Sequence, residues 1–502
     1  MAASVLYRNL WGTSKRGDLV NSLNAADFDG QYTTANPTDA NKFALRPGDG
    51  SDFYLTWTSL TSLAGIRPFN GPVERRAHAL IADDPEVLER RMSAYFDPEV
   101  DDTEVSELHP ALMMTGNRIV GPAARKKLQR EAHFEGTRIK RFPFKPFDLR
   151  WCYLANIRPL FSEPSPDLID QAEIAGNQFF ITRDTADKGN EGPPLAMAPF
   201  VVDYDFLSGH ARLVPVRVWS DGNGTLLSRR PARNASANYS VVANLSSPAR
   251  GWLAALGMPD PDSDRDIAAL PWHHALAIGY APAWLEENAD GIRQDWPRVP
   301  LPNTADLLRA SAALGARVAA LLDPDTPVPG VTTGVIQPTL VDIAVPTKRG
   351  GVAMTEADRT LTAGWGHTGK GGAVMPGRGS VVTRDYTPTE ATAQAEAALL
   401  GVRTHDVFLN ADAYWRNIPE TVWSFTIGGY QVLKKWLSYR EQPLLGRALT
   451  PGEVRYVRDV ARRLAALRLM APELDANYRA CACAHRPLDT PTPAPDAEAT
   501  VP

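Results

Sequence analysis

Proline constrains this chain more than any other residue: 42 of its 502 positions are Pro. Each fixes φ and removes a backbone donor, so many connections are expected to be stiff and non-helical. Proline also marks where helices begin, because the first helical N–H has no intrahelical partner to lose. Pro85 fits that role in ADDPEVLERRMSAYF (82–96), where Val87, Leu88, Met92 and Phe96 approximate one face. Pro451 fits it in Thr450-Pro451-Gly452-Glu453, a capping box. The helix it opens carries Val454, Val457, Ala461, Leu464 and Leu467 inward and Arg455, Arg458, Arg462 and Arg463 elsewhere. Pro282 stops an apolar, buried segment, WHHALAIGYA (272–281).

Between these points the pattern alternates. QFFITRD (178–184), FVVDYDF (200–206) and LVPVRVW (213–219) read as short strands, and DGNG (221–224) reads as a turn. A helix is expected from Trp284 to Gln294. Another, capped by Asn303 or Thr304, places Leu307, Ala310, Leu314, Val318 and Leu321 on one face. Residues 325–385, rich in Gly, Pro and β-branched side chains, are expected to form strands and ordered loops. The fold class is therefore α+β. Four segments are expected: a polar, partly helical spacer at 1–115; a β-rich then helical core at 116–345; a Gly-rich loop and helical part at 346–484; and a disordered Pro/Ala/Thr tail at 485–502.

Net charge is −5, but the charge is not evenly spread. From Asn117 to Arg150 ten Lys/Arg face three acids, and from Tyr430 to Arg468 nine face three. Basic blocks on an acidic chain fit a localised polyanion-binding face, and equally fit Arg-rich solvated helices. Three cysteines cannot staple a chain of this size, which suits a reducing cytoplasm. The N-terminus lacks the apolar core of a signal peptide, and no run of about 18 apolar residues predicts a membrane span.

GWGHTGKG (364–371) matches GxxxxGK and GxGxxG, the patterns of phosphate-binding loops. Gly371 stands where a P-loop needs Ser or Thr, and GGAVMPGRGSVV follows where a helix should start. An ordered, glycine-rich surface loop fits better, with Lys348, Arg349, Lys370 and Arg378 flanking it. Cys481, Cys483 and His485 offer three potential metal ligands without a nearby fourth. His273 and His274 diverge on a helix and cannot share a metal facially, so one is expected in the core or at an interface. Phe147, Asp148 and Arg150 are expected to hold a tight turn through an Asp–Arg or Asp–backbone contact. Patterns for hydrolases, nucleases and DNA aminomethyltransferases are missing; the Pro193-Pro194 pair sits in GPPL, not in a methyltransferase tetrapeptide.

Four segments together resemble a known family. FPFKPFDLRWCY (142–153), HALAIGYAPAWLEENADGIRQDWPRVPLP (274–302) and AGWGHTGKGGAVMPGRGSVVTRDYT (363–387) come in order. VWSFTIGGYQVLKKWLSYRE (422–441), followed by LGRALTPGEVRYVRDVARRLAAL (445–467), closes the set. They resemble the C-terminal specificity (target-recognition) region of Type ISP restriction–modification enzymes. YRNLWGT (7–13) is similar to the segment that follows the methyltransferase domain there, while residues 14–115 match least well.

The resemblance implies sequence-specific recognition of double-stranded DNA, with the nuclease, helicase and adenine N6-methyltransferase parts on another polypeptide or lost. S-adenosylmethionine, magnesium and ATP are then expected on those parts and no cofactor in this chain. Two other readings are a split-gene part of an adenine-specific DNA methyltransferase, active only with its upstream polypeptide, and a non-DNA interaction protein. Phosphate contacts are expected from Arg125, Lys126, Lys127, Lys140, Arg141 and Lys145, and from Lys434 and Lys435 on a helix starting near Gly428 whose apolar face is Tyr430, Leu433, Trp436 and Leu437. Base-edge contacts are sought in Lys348, Arg349, His367, Lys370 and Arg378.

Overall fold

The computed structural model describes residues 4–8, 10, 14–26, 28–35, 37, 45, 52–116, 119–155, 157–186, 191–221, 225–230, 239–370 and 373–488. Residues 9 and 11–13 of YRNLWGT, most of the DGNG turn, Gly371 and the tail beyond Leu488 lie outside the described residues.

The protein is α+β, with small sheets whose paired strands all run antiparallel among the described residues. The Pro85–Phe96 helix forms where the sequence predicts it, with the Asp84 side chain accepting from the Glu86 N–H. It packs Leu88, Met92, Tyr95 and Phe96 against a sheet ordered Ile81–Ala82, Asp148–Tyr153, Ile139–Lys145. Phe69–Asn70 joins a second sheet beside Arg212–Pro215, so strands from the first expected segment pair with strands from the second.

Phe179–Thr182 is the centre of that second sheet. LVPVRVW becomes two strands, Arg212–Pro215 and Arg217–Ser220, which belong to different sheets. The break falls at Val216, whose N–H is taken by the Gln178 carbonyl. FVVDYDF forms no strand, against expectation. The Asp203 carboxylate accepts the Asp205 N–H at 3.0 Å and folds the backbone into a turn instead.

The helical layer centres on Arg265–Gly279, capped by Asp264, and Ala305–Leu322, capped by Thr304. Their contact face differs from the predicted one: Leu308, Ser311, Ala312, Gly315 and Val318 are buried, whereas Ala310 is exposed. Small residues set the crossing. A Cβ on Gly315 would lie 1.7 Å from the His273 carbonyl oxygen, so only glycine lets the two backbones meet. His274 is the core histidine. Its Nε2–H donates to the Pro300 carbonyl (3.0 Å) and its Nδ1 accepts from the Ser311 hydroxyl (2.8 Å), which itself accepts from Asn477 (3.0 Å). The segment from Trp284 to Gln294 is two short helices, Pro282–Glu287 and Ala289–Gln294. They are broken at Asn288, whose side chain donates to the Trp284 carbonyl.

The C-terminal part is a sheet ordered Val345–Lys348, Ala413–Pro419, Thr404–Phe408, Val381–Arg384, backed by the Pro451–Leu469 helix with its capping box formed. The expected apolar face of that helix is buried. Arg462 and Arg463 are buried too. Arg462 donates to the carbonyls of Leu340 and Val341, Arg463 to that of Ala320. Both cap the carboxyl ends of neighbouring helices, where partial negative charge favours a cation. Cys481 faces the core and Cys483 faces out, so the two thiols diverge; burial pushes the Cys481 thiol up to about 12.

Candidate nucleic-acid interface

The two basic blocks meet at one buried ion cluster. Arg150 donates to both oxygens of Asp148, at 3.1 and 2.7 Å, and Arg440 donates to Asp148 at 2.7 Å and to Asp83 at 3.0 Å. Burial alone would raise the Asp148 carboxyl, but Arg150 and Arg440 outweigh it and hold that group well below the usual carboxylate range. The expected Asp–Arg contact is therefore present, and it spans more than a turn. It ties the strand hairpin 139–153 to the segment after the Val432–Ser438 helix. The hairpin turns through Phe147 at φ 58°, and the Tyr456 hydroxyl donates to the Phe147 carbonyl at 2.7 Å.

The Val432–Ser438 helix starts later than predicted. Gly428 and Gly429, both at positive φ, form a two-residue hairpin turn between Thr426–Ile427 and Tyr430–Gln431. Tyr430 therefore sits on a strand, while Leu433, Trp436 and Leu437 are buried as expected. Against this helix lies the Gly-rich segment, itself a hairpin of Gly366–Thr368 with Val374–Pro376. Glu441 accepts the N–H groups of Gly364 and Trp365 at 2.9 and 2.8 Å, and a Cβ on Gly366 would meet the Ser438 carbonyl oxygen at 1.9 Å. A strand follows the loop where a phosphate-binding loop needs a helix N-terminus, so these residues do not fit a nucleotide.

On this frame the predicted contacts divide. His367, Lys370 and Arg378 are exposed on and beside the Gly-rich hairpin, and Lys434 and Lys435 are half-buried on the helix beside it. Lys435 lies over the rings of Tyr439 and Tyr430, at 4.6 and 5.4 Å. Lys348 pairs with Asp358 at 2.9 Å, and Arg349, exposed, covers the Phe408 ring. In the first block Lys126, Lys127 and Lys140 are exposed, and Lys127 is 3.7 Å from Glu131. Arg141 is held bidentate by Asp325 at 2.9 and 2.6 Å.

Two predicted phosphate contacts are internal instead. Arg125 is buried and donates to the carbonyls of Tyr95, Asp97 and Val100 and to Asp102, closing the carboxyl end of the Pro85–Phe96 helix. Lys145 is buried against Asp203 at 2.9 Å. Each cation is matched by fixed acceptors, and withdrawing it would leave them unpaired.

Lys145 forms part of the floor of a cleft of about 380 Å³ that the residue pattern did not predict. Its walls come from the loop 73–78, strand residues Phe144 and Lys145, the turn 203–210, and Tyr430, Lys435 and Tyr439. The Glu74 carboxylate accepts the N–H groups of Arg76, His78 and Leu80, which fixes a loop where Arg75, Ala77 and His78 all have positive φ. The His78 ring meets Phe144 edge-on at 4.8 Å. Burial, with Arg150 and Lys145 nearby, brings that imidazole down to about 3, so it is neutral. Tyr204 stacks on His210 at 4.2 Å, and His210 Nδ1 is 3.0 Å from Asp205. Residues so far apart in sequence carry no shared spacing; the one signal available was the aromatic and turn content of DYDF and GGY.

The architecture is similar to parts of longer solved structures. The solved structure of the ATP-dependent Type ISP enzyme LlaBIII bound to DNA is similar at a TM-score of 0.55 and 12% identity, over 92% of this chain and 26% of that one. The DrdV–DNA complex is similar at 0.53 and 12%, over 92% of this chain and 42% of that one. A nuclease-deletion mutant of the Type ISP enzyme LlaGI with a DNA substrate mimic is similar at 0.50 and 12%, over 89% and 36%. This chain thus spans less than half the length of each. At such identity the likeness shows the fold alone. No curated protein matches the chain.

The family model described as the Type ISP C-terminal specificity domain matches residues 69–463, and the chain belongs to that family. Among the described residues no helix is long and apolar enough to cross a membrane.

Proposed function

We propose that this chain recognises a short, specific sequence in double-stranded DNA, in the cytoplasm, and so positions a separate adenine N6-methyltransferase and nuclease polypeptide. The observation that carries this reading is the specificity-domain match across residues 69–463. Supporting it, His367, Lys370 and Arg378 lie on or beside a hairpin that packs on the helix bearing Lys434 and Lys435, a surface with charge for phosphates and donors for base edges. S-adenosylmethionine, magnesium and ATP would serve the catalytic partner. Because the chain spans 26–42% of the length of its structural relatives, a second reading is favoured too. It is the recognition part of an adenine-specific DNA methyltransferase that is active only with the preceding polypeptide.

Mobility-shift titration against random and genomic duplexes tests the core claim. The expected result is binding that weakens steeply with salt and a preference for one short site of about a thousandfold or more. Equal affinity for all sequences, or no binding at low ionic strength, overturns it. Methyl transfer by the purified chain alone would contradict a separate catalytic partner.

A further inference from the structure

The cleft beside the ion cluster is built for something flat. Tyr204 and His210 already stack in parallel at its rim, 4.2 Å apart and inclined by 18°. Tyr430 and Tyr439 also line it, their rings covered by the Lys435 ammonium and, respectively, by Lys145 and Arg150. The Asp205 carboxylate, which holds His210 Nδ1 at 3.0 Å with one oxygen, is more than half exposed at the same rim, and its second oxygen is an acceptor suited to an exocyclic amine. The loop that closes the cleft holds three non-glycine residues at positive φ, a strain that persists only because the Glu74 carboxylate and its three N–H donors enforce it. Rigid aromatic faces, a cation beside them and an edge acceptor are the parts that hold a single base outside a duplex.

We infer that this cleft takes one unstacked nucleotide of the bound DNA, its base against the Tyr204 and His210 rings at the rim and its phosphate near Lys435. The inference rests on the DNA-binding reading above and extends it: the buried ion cluster that joins the two halves of the protein also fixes the geometry of an extrahelical-base pocket.

The test compares the full chain on two 30-base-pair duplexes, one fully paired and one with a single unpaired adenine, at about 0.1 M salt, where long-range attraction is screened. The unpaired adenine is expected to raise affinity about tenfold, the scale of one base–aromatic stack. In Tyr204→Ala and His210→Ala the ratio is expected to fall to about one, and in Tyr204→Phe to persist. Because the ratio is taken within each variant, a loss of folded protein cancels. A wild-type ratio of one, or an undiminished ratio in the alanine variants, overturns the inference while leaving duplex binding intact. Failure to bind either duplex overturns both. Saturable binding of free deoxyadenosine monophosphate together with a duplex ratio of one would assign the cleft to a soluble nucleotide and overturn the inference.

Discussion

The basic block at 117–150 and the Gly-rich hairpin with its neighbouring helix carry similar cations, yet they use them differently. In the first, Arg125 and Lys145 are buried, Arg150 joins the ion cluster and Arg141 is clamped by Asp325. In the second, His367, Lys370 and Arg378 stay exposed, while the cations turned inward are arginines further along, Arg440, Arg462 and Arg463. Across both regions the buried cations are, apart from Lys145, all arginines, although Arg130, Arg378, Arg447 and Arg455 stay exposed. The reason is chemical. A planar guanidinium with five donors can satisfy several carbonyls at once and is weakly hydrated, whereas an ammonium is a strongly hydrated point charge. Counting charge along the sequence therefore overstates the charge available to a partner.

The largest effect that would break this comparison concerns Arg440. Arg440→Met strips one cation from a buried cluster holding Asp148 and Asp83 and leaves a carboxylate short of its partner. A loss of about 3–5 kcal/mol is expected in urea denaturation. If Lys434→Ala cost as much, the division into internal and external cations would be wrong.

Next in size is a pH effect. His274 is fully buried and neutral, and its imidazole lies at about 4 through desolvation, against an ordinary 6.5. A depressed folded-state value means the unfolded chain binds the proton first. Stability from this group is whole above about pH 6.5 and declines as pH falls towards 4, by about 3 kcal/mol at most. Denaturation at pH 7.5, 5.5 and 4.5 should show that decline, and His274→Gln should reduce it. A pH profile that His274→Gln leaves unaltered would place the titration elsewhere.

The smallest effect on stability should fall on the exposed face. Lys370→Ala with Lys434→Ala is expected to change unfolding by within about 0.5 kcal/mol per site. The same pair should lower the dependence of log K on log salt by roughly one per lost phosphate contact. Matching losses from Lys126→Ala with Lys140→Ala would extend the binding face to the first block; no loss would confine it to the hairpin side.

Much of the fold was legible from local rules. Pro85, Thr304, Thr450 and Glu453 mark helix starts because capping is satisfied within four residues of sequence. The family resemblance was legible for a similar reason, since its motifs are short and ordered. The Ala305–Leu322 face was misplaced because periodicity weighs large apolar residues, and this crossing is made by Ser311, Ala312 and Gly315 against the backbone at His273. The FVVDYDF strand failed because one Asp203 side chain outcompeted a ladder hydrogen bond.

The sequence by itself determined where the helices at Pro85, Ala305 and Pro451 begin, that the chain is α+β, and which family its motifs resemble. Tertiary structure alone decided which cations face water, that Asp83, Asp148, Arg150 and Arg440 form one cluster, and that residues from 73 to 439 wall one aromatic cleft. The physical reason is range. Caps and periodicity act over a few residues along the chain, but desolvation and charge pairing depend on what packs alongside, and no spacing in a single sequence records that.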